Sequence, residues 1–189
     1  MTVYKIRVRI TGRKPILQNN PISQLMWEEW KSKHGGTVPP PEVEAEWRAY
    51  KDEDGSLYIP ESWIWGALKE AAKLRKVKGK RGRSAYTFVM RSCEVEPEKI
   101  PILRNGEKVK DYQIDTRYVR VQRSGTIRAR PRIETPWEAE FTILYNMTIG
   151  GMTLDAIKEI ITLAGSVGIG DFRPKFGTFN VEILGVEEV

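Results

Sequence analysis

One stretch near the C-terminus restricts the possible folds more than any other. Trp137, Ala139, Phe141, Ile143 and Tyr145 alternate with Glu138, Glu140 and Thr142, the two-residue period of a strand with one buried face. Thr153 then stands at the N-cap of a helix whose Leu154, Ile157, Ile160, Ile161 and Ala164 fall on one side. Phe179, Val181 and Ile183 form a last strand. A strand–helix–strand unit of this kind places its two strands parallel, with a right-handed crossover.

The N-terminal half supplies a second strand and helix. Tyr4, Ile6, Val8 and Ile10 alternate with Lys5, Arg7 and Arg9 until Gly12 and Pro15. A DEDG turn at 52–55 precedes a helix from Pro60 to about Lys76, with Ile64, Ala67, Leu68, Ala71 and Leu74 as its buried stripe. These elements predict an α+β chain with a ferredoxin-like (split βαβ, RRM-like) core: an antiparallel sheet with two helices on one face. The open face of such a sheet is a common platform for single strands of nucleic acid. Residues 16–41 read as loop around Leu25, Met26, Trp27 and Trp30, and Glu42 to Tyr50 as a short helix. The chain reads as a single domain over 1–189, with 86–132 as a β-rich insertion. Within it, Tyr86 to Val95 is β-rich and Asn105-Gly106 marks a tight hairpin. A second hairpin turns at Ser124-Gly125; Val119, Val121, Ile127 and Ala129 are its expected packing residues, with Arg120, Arg128 and Arg130 on the opposite side. Pro131 makes it an edge or protrusion.

Charge is distributed unevenly. Thirteen of the 31 Lys and Arg residues lie in two stretches without any acid, Lys73 to Arg83 and Arg117 to Arg132. The rest of the chain is net acidic, so the overall charge of +6 is local. Two cationic patches on an acidic body point to a polyanion met at defined places. No apolar run reaches membrane-span length, and the bases of Lys76 to Arg83 have only Val77 among them, too little for a membrane-surface helix. A single cysteine excludes an internal disulfide framework. With an N-terminus unlike a signal peptide, it leads to the expectation of a cytoplasmic protein.

Between the last helix and the last strand lies GSVGIGDFRPKFGTF, with Gly165, Gly168, Gly170 and Gly177. Such glycines let backbone N–H groups approach a phosphate, and Arg173 and Lys175 add charge beside them. The loop is neither a Walker loop nor a dinucleotide fingerprint, since its glycines follow a helix instead of opening one. With a strand at the N-terminus, a late helix and this loop, the chain resembles the RAMP superfamily of CRISPR-associated proteins, and within it the backbone subunit that coats guide RNA. Gly168-Ile169-Gly170 matches the superfamily's glycine-hydrophobic-glycine motif. Gly177-Thr178-Phe179 departs from its second copy, with Thr178 for the hydrophobic residue and Phe179 for the glycine. Ile10 to Leu17 (ITGRKPIL) and Ile59 to Ala72 (IPESWIWGALKEAA) also resemble uncharacterised phage and mobile-element proteins. The resemblance implies that Gly168, Gly170 and Arg173 lie near a nucleic-acid backbone, that the arginine hairpin acts as a protruding thumb, and that copies line up along the strand.

The expected function is therefore binding of single-stranded RNA or DNA, largely independent of sequence and without catalysis. Arg117, Arg120, Arg123, Arg128, Arg130 and Arg132 would grip phosphates from the hairpin, and Lys76, Lys78, Lys80, Arg81 and Arg83 from the basic loop. Gly168, Gly170, Arg173 and Lys175 would contribute from the glycine loop. Tyr86, Tyr112 and Tyr118 flank the basic stretches as base-stacking candidates, whereas Trp63, Trp65 and Trp137 read as core. No cofactor or metal is expected: one histidine and one cysteine do not build a zinc site, and DEDG reads as a turn. One rival reading is a RAMP-type endoribonuclease using His34. Another is a structural assembly protein of a phage or mobile element.

Overall fold

The structure is a computed structural model and describes residues 1–77 and 81–189. Strands β1 (Val3–Gly12) and β2 (Ile16–Leu17) precede helices α1 (Ser23–Lys33) and α2 (Pro41–Arg48). Strand β3 (Tyr58–Pro60) runs into α3 (Glu61–Lys73), and α4 (Tyr86–Ser92) runs into β4 (Cys93–Glu96). Short strands β5 (Lys99–Pro101), β6 (Leu103–Arg104) and β7 (Glu107–Lys108) lead to a long ribbon of β8 (Gln113–Val121) and β9 (Ser124–Ile133). The remaining elements are β10 (Glu138–Asn146), α5 (Met147–Gly150), α6 (Leu154–Val167) and β11 (Phe179–Glu188).

β1 is central in the principal sheet, antiparallel to β10 on one side and to β11 on the other. β10 and β11 therefore run in the same direction with β1 between them, and β4 pairs with the far edge of β10. This mixed α+β arrangement is compatible with a ferredoxin-like sheet. The inward residues Ile6, Val8, Ile10, Ala139, Phe141, Ile143 and Tyr145 are buried against Ile64, Ala67, Leu68 and Ala71 of α3 and Ile157, Ile160, Ile161 and Ala164 of α6. Each such aliphatic side chain contributes about 1.5–3 kcal/mol of burial. Thr153 caps α6 as expected, its hydroxyl accepting from Ala156 N at 3.2 Å. Asn105 and Gly106 form the β6–β7 turn with φ of 53° and 80°.

Several expectations are corrected. Residues 23–33 are helical, not loop, although α1 buries only Ser23. This helix is held by local pairs, Gln24 to Glu28 and Lys33 to Glu29, and by Trp30 edge-on to Trp47 of α2, so it shows no apolar stripe to read. Tyr86 to Ser92 is helix instead of strand: its β-rich composition yields to the burial of Ala85, Val89 and Ser92 at helical spacing. The helix from Pro60 stops at Lys73, which leaves Leu74 outside the core at 75% exposure. Trp137 is buried, while Trp63 and Trp65 pack partly buried against the core.

The open face of the principal sheet is not a base-stacking platform. The pairing register brings Lys5, Arg7 and Arg9 together with Glu94, Glu96, Glu138, Glu140, Glu182 and Glu187. Among the described residues no aromatic shares that face. Arg9 is held by Glu140 at 2.7 Å and lies 3.6 Å from Glu182. Carboxylates outnumber cations there, which repels a phosphate chain.

Candidate nucleic-acid interface

The ribbon turns at Gln122 and Arg123, both at positive φ (48° and 72°), and not at Ser124-Gly125. Directly paired residues in an antiparallel ribbon share a face, so the register fixes which way every side chain points. Arg117 opposes Arg128, Asp115 opposes Arg130, Gln113 opposes Arg132 and Val119 opposes Thr126. Val119 and Val121 thus share the arginine face. The other face carries Tyr118 opposite Ile127, Arg120 opposite Gly125, and Thr116 opposite Ala129. The arginine face is turned inward against α2 and the glycine loop, and the face bearing Tyr118 and Ile127, 68% and 61% exposed, is turned to solvent.

Three of the six hairpin arginines are neutralised within the molecule. Arg117 makes a two-pronged contact with Asp115, at 2.6 and 3.1 Å. Arg132 reaches Glu134 and, at 3.5 Å, Asp115. Arg130 is buried with its Nε 2.8 Å from Asp171 Oδ2. Neither Nε nor Nη1 of Arg130 has an aligned hydrogen-bond acceptor, so this is a charge contact off the N–H axis. Burial, before any neighbouring charge, lowers the Arg130 pKa.

The glycine loop is what these arginines touch. The Arg130 guanidinium lies 4.9 Å from the Phe172 ring centre, and Arg117 and Arg132 lie 4.7 and 5.5 Å from Phe176. The close approach permitted by the glycines is to the chain itself. Gly170, at φ 79°, passes so near β2 that a Cβ would stand 2.6 Å from Leu17 O, and Asp171 N donates to that oxygen at 2.9 Å. Gly168 is buried against the backbone of Phe176 and Gly177. Their steric requirement is thus internal. Arg173 and Lys175 are exposed on the outside of the same loop.

Among the described residues, Arg120, Arg123 and Arg128 have no carboxylate within ion-pair distance. Tyr118 is the stacking candidate that remains open: its ring lies across Gly125, where any Cβ would collide with it. Tyr112 is engaged, its hydroxyl donating to Glu46 Oε2 at 2.5 Å with Lys51 5.5 Å from the ring centre. Tyr86 is half-buried beneath Lys73.

The two basic stretches do not form one surface. Gly170 lies against Trp63 in the first turn of α3, so the ribbon and glycine loop sit at that end. Beyond the other end of α3, Arg75 pairs with Glu159, and Lys76 borders a hollow with Thr153 and Ala156 at the start of α6. The stretch of α3 from Trp63 to Lys73 separates the Trp63–Gly170 contact from the basic segment by about 15 Å, with Arg173 of the glycine loop within the field of Glu70, the partner of Lys73. Arg81 and Arg83 are exposed there, and Lys78 and Lys80 lie outside the described residues. His34 is stacked on Trp30 at 3.8 Å, with Nδ1 2.9 Å from Trp30 O. Asp54 caps its own turn, accepting from Ser56 N and Oγ. No cluster of three or more potential metal ligands occurs among the described residues, and no described helix is long and apolar enough to cross a membrane.

Sequence reasoning missed Arg48. It is 5% exposed and bonded to Glu44, to Asn19 Oδ1 at 2.6 Å and to Ser23 Oγ at 2.9 Å. Asn19 also reaches Asp171, so one polar network joins α2, the glycine loop and the ribbon. The four-residue spacing of Glu44 and Arg48 was its only visible signal.

No protein-family model matches this sequence, and no curated protein matches it. Among solved structures, a chain of the cryo-EM structure of the Type III-B Cmr-beta bound to cognate target RNA is similar in fold. Its TM-score is 0.56 at 14% identity, covering 100% of this chain and 61% of that one. The present chain thus spans less than two thirds of that neighbour.

Proposed function

We propose that this chain is a single-stranded nucleic-acid-binding protein of the RAMP type, with a split βαβ core and a β-ribbon as its principal grip. The observation that carries this reading is the outer face and tip of the ribbon. Tyr118 presents an exposed ring fixed over Gly125, and Arg120 and Arg123 flank it without a carboxylate of their own. A flat ring beside free guanidiniums suits a base with its phosphates, and stacking of this kind is worth about 1–3 kcal/mol per base. Arg128 on the inward face of the ribbon, and Arg173 and Lys175 on the outside of the glycine loop, add further cations. The grip is largely sequence-independent, because phosphate contacts position a strand without reading it.

The fold neighbour comes from an RNA-bound CRISPR assembly, which favours RNA as the partner and supports the RAMP reading, with copies lining up along the strand. Lys76, Arg81 and Arg83 then serve a second contact beyond the C-terminal end of α3, apart from the ribbon's own grip. Binding without cleavage is favoured because the His34 ring is stacked on Trp30 with its Nδ1 against Trp30 O. One observation favours assembly instead: Ile22, Leu25 and Val38 are exposed at 55%, 71% and 66% around α1.

The test is to identify nucleic acid that copurifies with the protein, then to measure binding of single-stranded RNA, single-stranded DNA and duplex by fluorescence anisotropy. Tight binding of a single strand without cleavage is expected. Site-specific cleavage abolished by H34A would replace this reading with the nuclease, and no binding at all would favour assembly.

A further inference from the structure

A groove of about 350 Å³ separates α1 from the tip of the ribbon, near the small end of ligand sites. Trp27 and Glu28 line its α1 wall, Gln122, Thr126 and Arg128 its ribbon wall, and Arg48 its base. The floor is rigid, since Arg48 is buried and held by Glu44, Asn19 and Ser23. Three cations, Arg48, Arg128 and Arg130, converge here with three carboxylates, Glu44, Asp171 and Glu28. Glu28 on the α1 wall is not within ion-pair distance of Arg128 and accepts from Gln24 instead. Glu44 answers Arg48 and Asp171 answers Arg130, while Arg128 lies within the field of both guanidiniums. Arg128, beside two buried guanidiniums and without an ion-pair partner of its own among the described residues, is the cation here open to a phosphate. Trp27 is half-buried, and among the described residues no aromatic ring packs on it.

We infer that this groove seats one nucleotide unit of the bound strand, its phosphate on Arg128 and its base on the Trp27 ring. Glu28 then meets the edge of the base. A carboxylate accepts from the amino groups of adenine, cytosine and guanine, whereas uracil offers only its ring N3–H. One position of an otherwise unselective strand is therefore read. This rests on the proposed function and deepens it.

The experiment uses the full chain and short single-stranded RNAs of mixed sequence or uridine only. W27A and R128A should each weaken binding of the mixed RNA by roughly tenfold. R128A should also lower the salt slope by about 0.7. E28Q should narrow the preference for mixed RNA over oligouridine. Ultraviolet crosslinking with peptide mass spectrometry should place nucleotides on the segment containing Trp27. Circular dichroism melts confirm that the variants fold, as expected for side chains at a groove wall. Wild-type affinity in both W27A and R128A, with crosslinks confined to other segments, overturns the groove while leaving strand binding intact. Failure of the unaltered protein to bind any strand removes both.

Discussion

Individual arginines on the ribbon have opposite roles, and substitution should separate them. Arg130 is buried against Asp171 and Phe172. Removing it leaves Asp171 without its cation and a hollow beneath the glycine loop. R130A should cost about 2–3 kcal/mol, less than a fully buried pair because Asp171 is one-third exposed. A lowered melting temperature or denaturant midpoint would show it. Arg120 and Arg123 are exposed and touch no acid, so the double alanine variant should melt like the parent and lose about 1–2 kcal/mol of strand affinity. Equal loss of stability in both variants would contradict the inward and outward facing described above. Cys93 offers an independent check on the core. Burial pushes its thiol up to about 12, so the unreactive protonated form persists up to nearly that pH. Alkylation at pH 8 should proceed only as the protein unfolds; rapid labelling of the native chain would place β4 elsewhere.

At the scale of elements, the ribbon is a two-sided device. One side is fastened to the body by ion pairs and arginine–phenylalanine contacts, and the other displays Tyr118 and Ile127. Gly125 is the hinge of that display, because the Tyr118 ring occupies the space of its missing side chain. Gly125→Ala should therefore displace the ring, weakening strand binding severalfold with little change in melting temperature. Unchanged affinity would mean that the ring is not used. The same two-residue period explains why the arginines read as free in the sequence. Asp115 lies just outside the acid-free stretch but shares a strand face with Arg117, two residues away, and Glu134, one residue past the end of β9, reaches back to Arg132. That neutralisation was legible from strand periodicity, whereas Asp171, more than forty residues from Arg130, was not.

For the whole molecule, binding should be electrostatic but moderate. Among the described residues, Arg120, Arg123, Arg128, Arg173 and Lys175 remain without a carboxylate within ion-pair distance on the ribbon and glycine loop. If all five meet phosphates, the slope of log affinity against log salt is about −3.5 for a single strand. A slope near zero would reject phosphate binding. A much steeper one would mean that one strand also engages the basic segment at the far end of α3.

The alternation in β1 and β10, the helical stripes of α3 and α6, the Thr153 cap and the Asn105-Gly106 turn are local patterns, and the sequence alone determined them because side-chain period and backbone torsion are set within a few residues. It also determined that positive charge is concentrated in two segments. Tertiary structure alone decided which of those charges reach solvent, since facing and neutralisation depend on partners remote in sequence. It turned the arginine face of the ribbon inward, spent the glycines on contact with β2, placed the two basic segments at opposite ends of a helix, and assembled a groove from α1, α2 and the ribbon tip.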